Sequence, residues 1–347
     1  MTHPPWRLAG LALALFILLL AGSTQDVTAQ EIKLKLSHFA PTAHNHHANV
    51  IVPWVEEVKK RTNGRLQITV FPGASLCKPT QQYDCAKSGI ADLAWGVTGW
   101  TPGRFPMTSV IELPFLVRTA AVSAQILADL WEPYLRREFD DVHVLYLHTP
   151  PAVHINTHSR PIRVLDDFKG MKIRIPTAVM GSVLETLGAS PVGMPANEIY
   201  QNMSTKVLDG FTMPFEALPP FRLHEVSKYH TEVWISGSAA FAMYMNKAKY
   251  AALPADVRQV LDETTSRLWY WKQVGESWDK AEVGARQVVE AHKNQIYALP
   301  DEERRRWREA VKGLDAKWAA ELDARGLPGQ ALLQEARALS AKYGEGE

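Results

Sequence analysis

IKLKLSHFAPTAHNHHANVIVPWVEEVKKRTNGRLQITVFP, residues 32–72, carries two periodicities in one run. Ile32, Leu34 and Leu36 alternate with Lys33, Lys35 and Ser37, the two-residue repeat of a half-buried strand. Val50, Trp54, Val55 and Val58 then recur at helical spacing, and Asn63-Gly64 closes the segment with residues that tolerate a left-handed cap. Leu66, Ile68 and Val70 alternate again. Strand, helix, strand is the unit from which α/β domains with a predominantly parallel sheet are built.

The same grammar extends outward. ADLAWGV and MTSVIELPF read as buried strands, AAVSAQILADLWEPYLRREF as a helix, and VHVLYLH as another strand. After Pro150 it restarts: VHINTH, then GMKIRIP (170–176), the helix AVMGSVLETLG, ASPVGM, the helix NEIYQNMSTKV, and LDGFTMP. A second α/β domain is the economical reading. ISGSAAFAMYMNK predicts a long return strand. From Pro254 to Asn294, Val257, Val260, Leu261, Thr264, Leu268, Trp271 and Trp278 mark one face of a very long helix or of two nearly collinear ones. Pro300-Asp301-Glu302-Glu303 starts a helical carboxyl-terminal region. The expected organisation is residues 30–150 with 241–347 as domain I and the terminal helices, and residues 151–240 as domain II.

The 347 residues include 38 Lys+Arg against 37 Asp+Glu, and 46% are apolar, an ordinary globular composition. A net charge of +1 with no basic stripe argues against nucleic acid as a partner. Arg7 precedes an apolar run from Leu8 to Gly22, and Val27-Thr28-Ala29 supplies small residues before Gln30. That pattern predicts a cleavable signal peptide over residues 1–29, since the run is shorter than the roughly 20 residues a spanning helix needs. An exported chain meets an oxidising compartment, which favours a bond between Cys77 and Cys85 over two free thiols.

The motifs of catalysis are missing. There is no GxSxG elbow, Walker A loop or GxGxxG fingerprint, and HEVSKYH does not complete HExxH. The cluster His38, His44, His46 and His47 invites a metal reading. Adjacent His46 and His47 diverge on a helix and nearby Cys or carboxylate co-ligands are lacking, so no metal and no cofactor are assigned. Hydrogen bonding to a ligand from the loop after the first strand, His38 included, is the competing functional reading.

LSHFAP, GRLQITVFPGASL, GIADLAWG, DDFKGMKIRIP and LGASPVGMPANEIYQNMSTKVLDG, in that order, resemble the substrate-binding proteins of tripartite ATP-independent periplasmic (TRAP) transporters. The similarity runs over essentially the whole chain after the leader. It implies a two-lobed periplasmic binding protein fold: two α/β domains with a hinge, a long helix across both and a ligand in the cleft. It also implies no catalysis, a periplasmic location, and delivery to a permease of one small and one large membrane subunit.

In that family the arginine of a KxKxR-like strand grips the ligand carboxylate, and the matching residue here is Arg174. Guanidinium suits the role because it is planar, always charged and able to donate two parallel hydrogen bonds. Thr177 is a helper or a helix N-cap. A second arginine of sugar-acid binders falls on or near His154, and a ligand-facing asparagine falls near Met213. Both replacements favour a carboxylate with an aromatic or otherwise apolar body. Trp95, Phe39, Trp100, Phe215 and Glu216 complete the candidate walls.

The expected function is therefore an extracytoplasmic solute-binding protein for an organic carboxylate. A sensor presenting the ligand to a receptor kinase is an alternative that a kinase gene beside this one would favour. A secreted hydrolase or lyase is a third, and product formation would reveal it.

Overall fold

The computed structural model describes residues 31–235 and 238–345. The expected signal peptide and its cleavage site lie outside them. Among the described residues, eleven strands form two sheets: β1 (Ile32–His38), β2 (Leu66–Phe71), β3 (Leu93–Val97), β4 (Val142–His148), β5 (His154–Thr157), β6 (Lys172–Ile175), β7 (Ser190–Gly193), β8 (Gly210–Met213), β9 (Tyr229–Glu232), β10 (Phe241–Asn246) and β11 (Gln295–Ala298). The α-helices are α1 (Val52–Arg61), α2 (Gln82–Ser88), α3 (Ala120–Leu130), α4 (Ala178–Thr186), α5 (Ile199–Ser204), α6 (Lys247–Ala252), α7 (Ala255–Thr264), α8 (Tyr270–Ala291), α9 (Asp301–Ala310), α10 (Leu314–Ala324) and α11 (Gly329–Lys342).

The first sheet runs β2-β1-β3-β10-β4 and the second β11-β9-β5-β8-β6-β7. Each contains one reversed strand, β10 in the first and β5 in the second. These are the strands that begin each lobe after a crossing: the chain leaves the first sheet at His148, enters the second at His154 and is back in the first by Phe241. Two mixed α/β sheets with a helical carboxyl-terminal region give the two-lobed fold.

Three local expectations change. MTSVIELPF is not a strand; Thr108–Glu112 forms a tight 3-10 turn between Pro106 and Pro114. Of the two readings of the stretch after Pro254 the structure has two helices, α7 and α8, and what changes is Leu268, expected on the buried face but sitting in the break with 91% exposure. Finally, not all of residues 241–347 join the first sheet. β11 pairs in parallel with β9, and Trp307 of α9 packs on Phe168 at 4.9 Å in the core of the second lobe. Short apolar runs specify a strand or a helix but not which sheet edge receives them.

Helix α8 ties the lobes together. Asp279 accepts the backbone N–H groups of Ala120 (2.8 Å) and Ala121 (2.9 Å), donors at the start of α3 that have no partner within the helix. Gly275 permits the approach, because a Cβ there would lie 2.4 Å from the Ala120 carbonyl oxygen. About one turn further along, Glu282 accepts the N–H groups of Phe215 (3.0 Å) and Glu216 (2.8 Å) from the second lobe. In the first lobe, Cys77 and Cys85 form a disulfide.

Candidate ligand-binding site

Strand β6 alternates so that Ile173 and Ile175 enter the core of the second lobe while Arg174 projects from the other face. Arg174 is only 2% exposed. Its Nε donates to the Met194 carbonyl at 2.8 Å, and Nη1 donates to the Thr212 carbonyl at 3.4 Å and lies 3.7 Å from the Met213 sulfur. No carboxylate of the described residues lies within ion-pair distance of it. Burial pushes the guanidinium down to about 9, with the negative charge of Glu198 opposing, so it stays charged at neutral pH. A buried cation without a counter-ion is costly, and an anion supplied from outside removes that cost.

Arg174 borders a cavity of about 40 Å³ between the lobes. Phe39, Trp95 and Trp100 line it from the first lobe, Thr212 and Met213 from the second, and Phe241 and Trp278 from the return strand and the long helix. Trp95 is held in place by stacking on Phe39 (5.2 Å, 4°), Phe241 (4.9 Å, 17°) and His46 (4.1 Å, 19°), and by its N–H donated to His148 Nε2 at 3.0 Å. The wall around Trp95 is therefore flat and aromatic. A wider groove of about 890 Å³ beside α8 lacks any such buried lone charge and runs along the surface past Arg61, Trp269 and Lys280.

His44 and Glu216 also line the cavity. His44 Nδ1 accepts the backbone N–H of His46 at 3.1 Å, and its Nε2 lies 3.7 Å from Glu216 Oε2, too far for a hydrogen bond. Burial pushes His44 down to about 3. Burial, reinforced by the charge of Glu282, pushes the Glu216 carboxyl well above the usual carboxylate range. Burial thus disfavours the charged form of both side chains.

Of the residues singled out from sequence, Arg174, Met213, Trp95 and Phe39 meet at this cavity, joined by Trp100 and Glu216. The other four sit elsewhere. His154 binds Glu282 Oε1 through Nε2 at 3.0 Å and packs on Phe215 at 4.5 Å, so both residues serve the junction with α8. His38 Nε2 lies 2.9 Å from His47 Nδ1 behind Trp95. Thr177 precedes α4 without capping it through its side chain; instead its hydroxyl donates to Glu112 Oε2 at 2.6 Å across the lobes. The indole N–H of Trp100 makes a second crossing bond, to the Pro176 carbonyl at 3.1 Å. Glu112, which also accepts the Ala240 N–H at 3.1 Å, is pushed up to about 7 by burial, against the pull of these two donors.

His44, Glu112, Phe241 and Trp278 carry roles that the linear pattern did not assign. His44 and Trp278 were visible only as members of a histidine cluster and of an apolar helix face, and Glu112 sat inside a segment read as a strand. Among the described residues, no three His, Cys, Asp or Glu side chains converge as a metal site.

Comparison with known proteins places this geometry in a group. The family described as bacterial extracellular solute-binding protein, family 7, matches residues 36–321. A TRAP solute-binding protein from Rhodoferax ferrireducens, solved with copurified benzoate, is 34% identical with a TM-score of 0.87, covering 90% of this chain and 98% of its own. A TRAP periplasmic solute-binding protein from Bordetella bronchiseptica, solved with (R)- and (S)-mandelate, is 30% identical with a TM-score of 0.83, covering 90% and 99%. The C4-dicarboxylate-binding periplasmic protein DctP of Rhodobacter capsulatus is 25% identical over 85% of this chain and 89% of its own.

Proposed function

Because this chain belongs to bacterial extracellular solute-binding protein family 7, we propose that it captures a small aromatic or otherwise apolar carboxylate and delivers it to a TRAP-type secondary transporter. One observation carries the reading: the buried guanidinium of Arg174 has no carboxylate partner among the described residues and borders a cavity walled by Phe39, Trp95, Trp100 and Phe241. A carboxylate there gains a desolvated, charge-assisted contact, and its apolar body fills the aromatic cage. Related proteins that hold benzoate and mandelate support this chemistry.

The partners are a carboxylate ligand and the small and large membrane subunits of the permease. Binding proceeds by closure of the lobes, with no turnover of the ligand. The location is the periplasm, reached through the leader at residues 1–29.

Calorimetry with benzoate on the wild type and on Arg174→Ala tests the assignment. Loss of a buried charge partner commonly costs about 2–5 kcal/mol, so affinity should fall by roughly 30-fold or more. Unchanged affinity would remove Arg174 from the site.

A further inference from the structure

Arg174 accounts for one end of a ligand. The other titratable side chains lining the same cavity are His44 on the loop after β1 and Glu216 on the turn after β8, both almost completely buried, at 3% and 4% exposure. Each keeps one polar atom without a hydrogen bond among the described residues, Nε2 of His44 and Oε2 of Glu216. Glu216 Oε2 is a buried oxygen with no hydrogen-bond partner among the described residues. His44 Nδ1 is occupied as an acceptor, so in the neutral ring the proton belongs to Nε2, and that N–H is aimed toward Glu216 across a gap of 3.7 Å.

Two polar atoms 3.7 Å apart are too distant to satisfy each other and close enough for one oxygen to reach both. A hydroxyl fits this geometry: its oxygen accepts the His44 Nε2–H and its hydrogen goes to a Glu216 carboxyl oxygen. A ring C–H leaves both groups unsatisfied in a dry site, which is the arrangement that discriminates strongly against a ligand lacking the group. A second carboxylate fits poorly, because Arg174 is the cation of the lining and no further positive charge faces this end of the cavity.

We propose that His44 and Glu216 together recognise a hydroxyl group on the body of the ligand, so that the preferred cargo is a hydroxylated aromatic acid. This rests on the reading of Arg174 as the carboxylate anchor.

Calorimetric titration with benzoate, its three monohydroxy isomers and isophthalate tests it on the wild type, His44→Asn, Glu216→Leu and Glu216→Gln, each checked for folding by circular dichroism. At least one hydroxybenzoate should bind the wild type about tenfold or more tightly than benzoate does. His44→Asn keeps an acceptor for the His46 N–H but loses the reaching donor; in it and in Glu216→Leu the ratio of the two affinities should collapse toward one. Glu216→Gln, which still donates and accepts, should retain a preference. Equal binding of benzoate and all hydroxybenzoates by the wild type would overturn the hydroxyl assignment alone, as would a preference that survives both disabling variants, or isophthalate binding tightest. Failure of the folded wild type to bind any of the five acids would overturn the Arg174 reading and this proposal with it.

Discussion

The hydroxyl of Thr177 in the second lobe donates to the carboxyl of Glu112 in the first at 2.6 Å, at a point where both side chains are buried. The bond exists only while the lobes are together. Any group that makes contact solely in the closed form adds its free energy to ligand binding, because closure and capture are one equilibrium.

Thr177→Ala should therefore weaken benzoate binding without touching the ligand. Losing one hydrogen bond to a buried carboxyl costs about 1–3 kcal/mol, or roughly 5- to 150-fold in affinity. The loss should appear mainly in the dissociation rate measured by stopped flow. Unaltered dissociation would show that the bond is incidental to closure.

The same carboxyl makes stability depend on pH. Burial raises Glu112 to about 7 in the folded chain, whereas an unfolded chain releases that proton near the ordinary glutamate value of about 4.3. Its stabilising contribution is complete below the unfolded value and is lost as pH rises through about 7. The unfolding midpoint of the wild type, measured relative to Glu112→Gln, should fall between about pH 5 and about pH 8. Parallel curves for the two proteins would refute the shift.

Arg174→Lys preserves charge and removes the planar fork. The ammonium cannot reproduce the donations to the Met194 and Thr212 carbonyls together with a bidentate contact to a ligand. Affinity for benzoate should drop about tenfold or more. A lysine variant that binds like the wild type would mean that charge alone suffices.

Glu282 is the strongest test of the joint between α8 and the second lobe. Its carboxylate takes the N–H groups of Phe215 and Glu216 and faces His154 Nε2. Glu282→Ala orphans two partly buried backbone donors at about 1–3 kcal/mol each, so the unfolding midpoint should fall by several degrees. Gly275→Ala addresses the other lobe. The added methyl would press on the Ala120 backbone, and overpacking of this kind costs about 1–3 kcal/mol. A midpoint within a degree of wild type in either variant would contradict the packing described for that joint.

Much of this architecture could be read from residues 32–72 and from the restart after Pro150, because alternation and helical spacing report local geometry directly. Arg174, Met213, Trp95 and Phe39 reach one cavity because β1, β3, β6 and β8 present their ends to the interlobe gap. Position in the chain could not assign His154 or Phe215, since alternation says that a strand has two faces and not which one the long helix covers. Glu112 and Thr177 were illegible as a pair for a simpler reason: 65 positions separate them, and only the relative placement of two lobes brings them together. His44 and Glu216 share that difficulty.

The order of strands in the two sheets has a consequence for the birth of the molecule. β4 has β10 as its neighbour, and β10 is synthesised only after nearly all of the second lobe; β9 gains its outer partner when β11 arrives later still. A growing chain that stops before Asn246 leaves β4 unpaired, and one that stops before Ala298 leaves the edge of the second sheet open. Neither sheet is complete before those late strands have been made. Each lobe thus waits for a segment made late in synthesis, and neither sheet can be closed by the residues that open it.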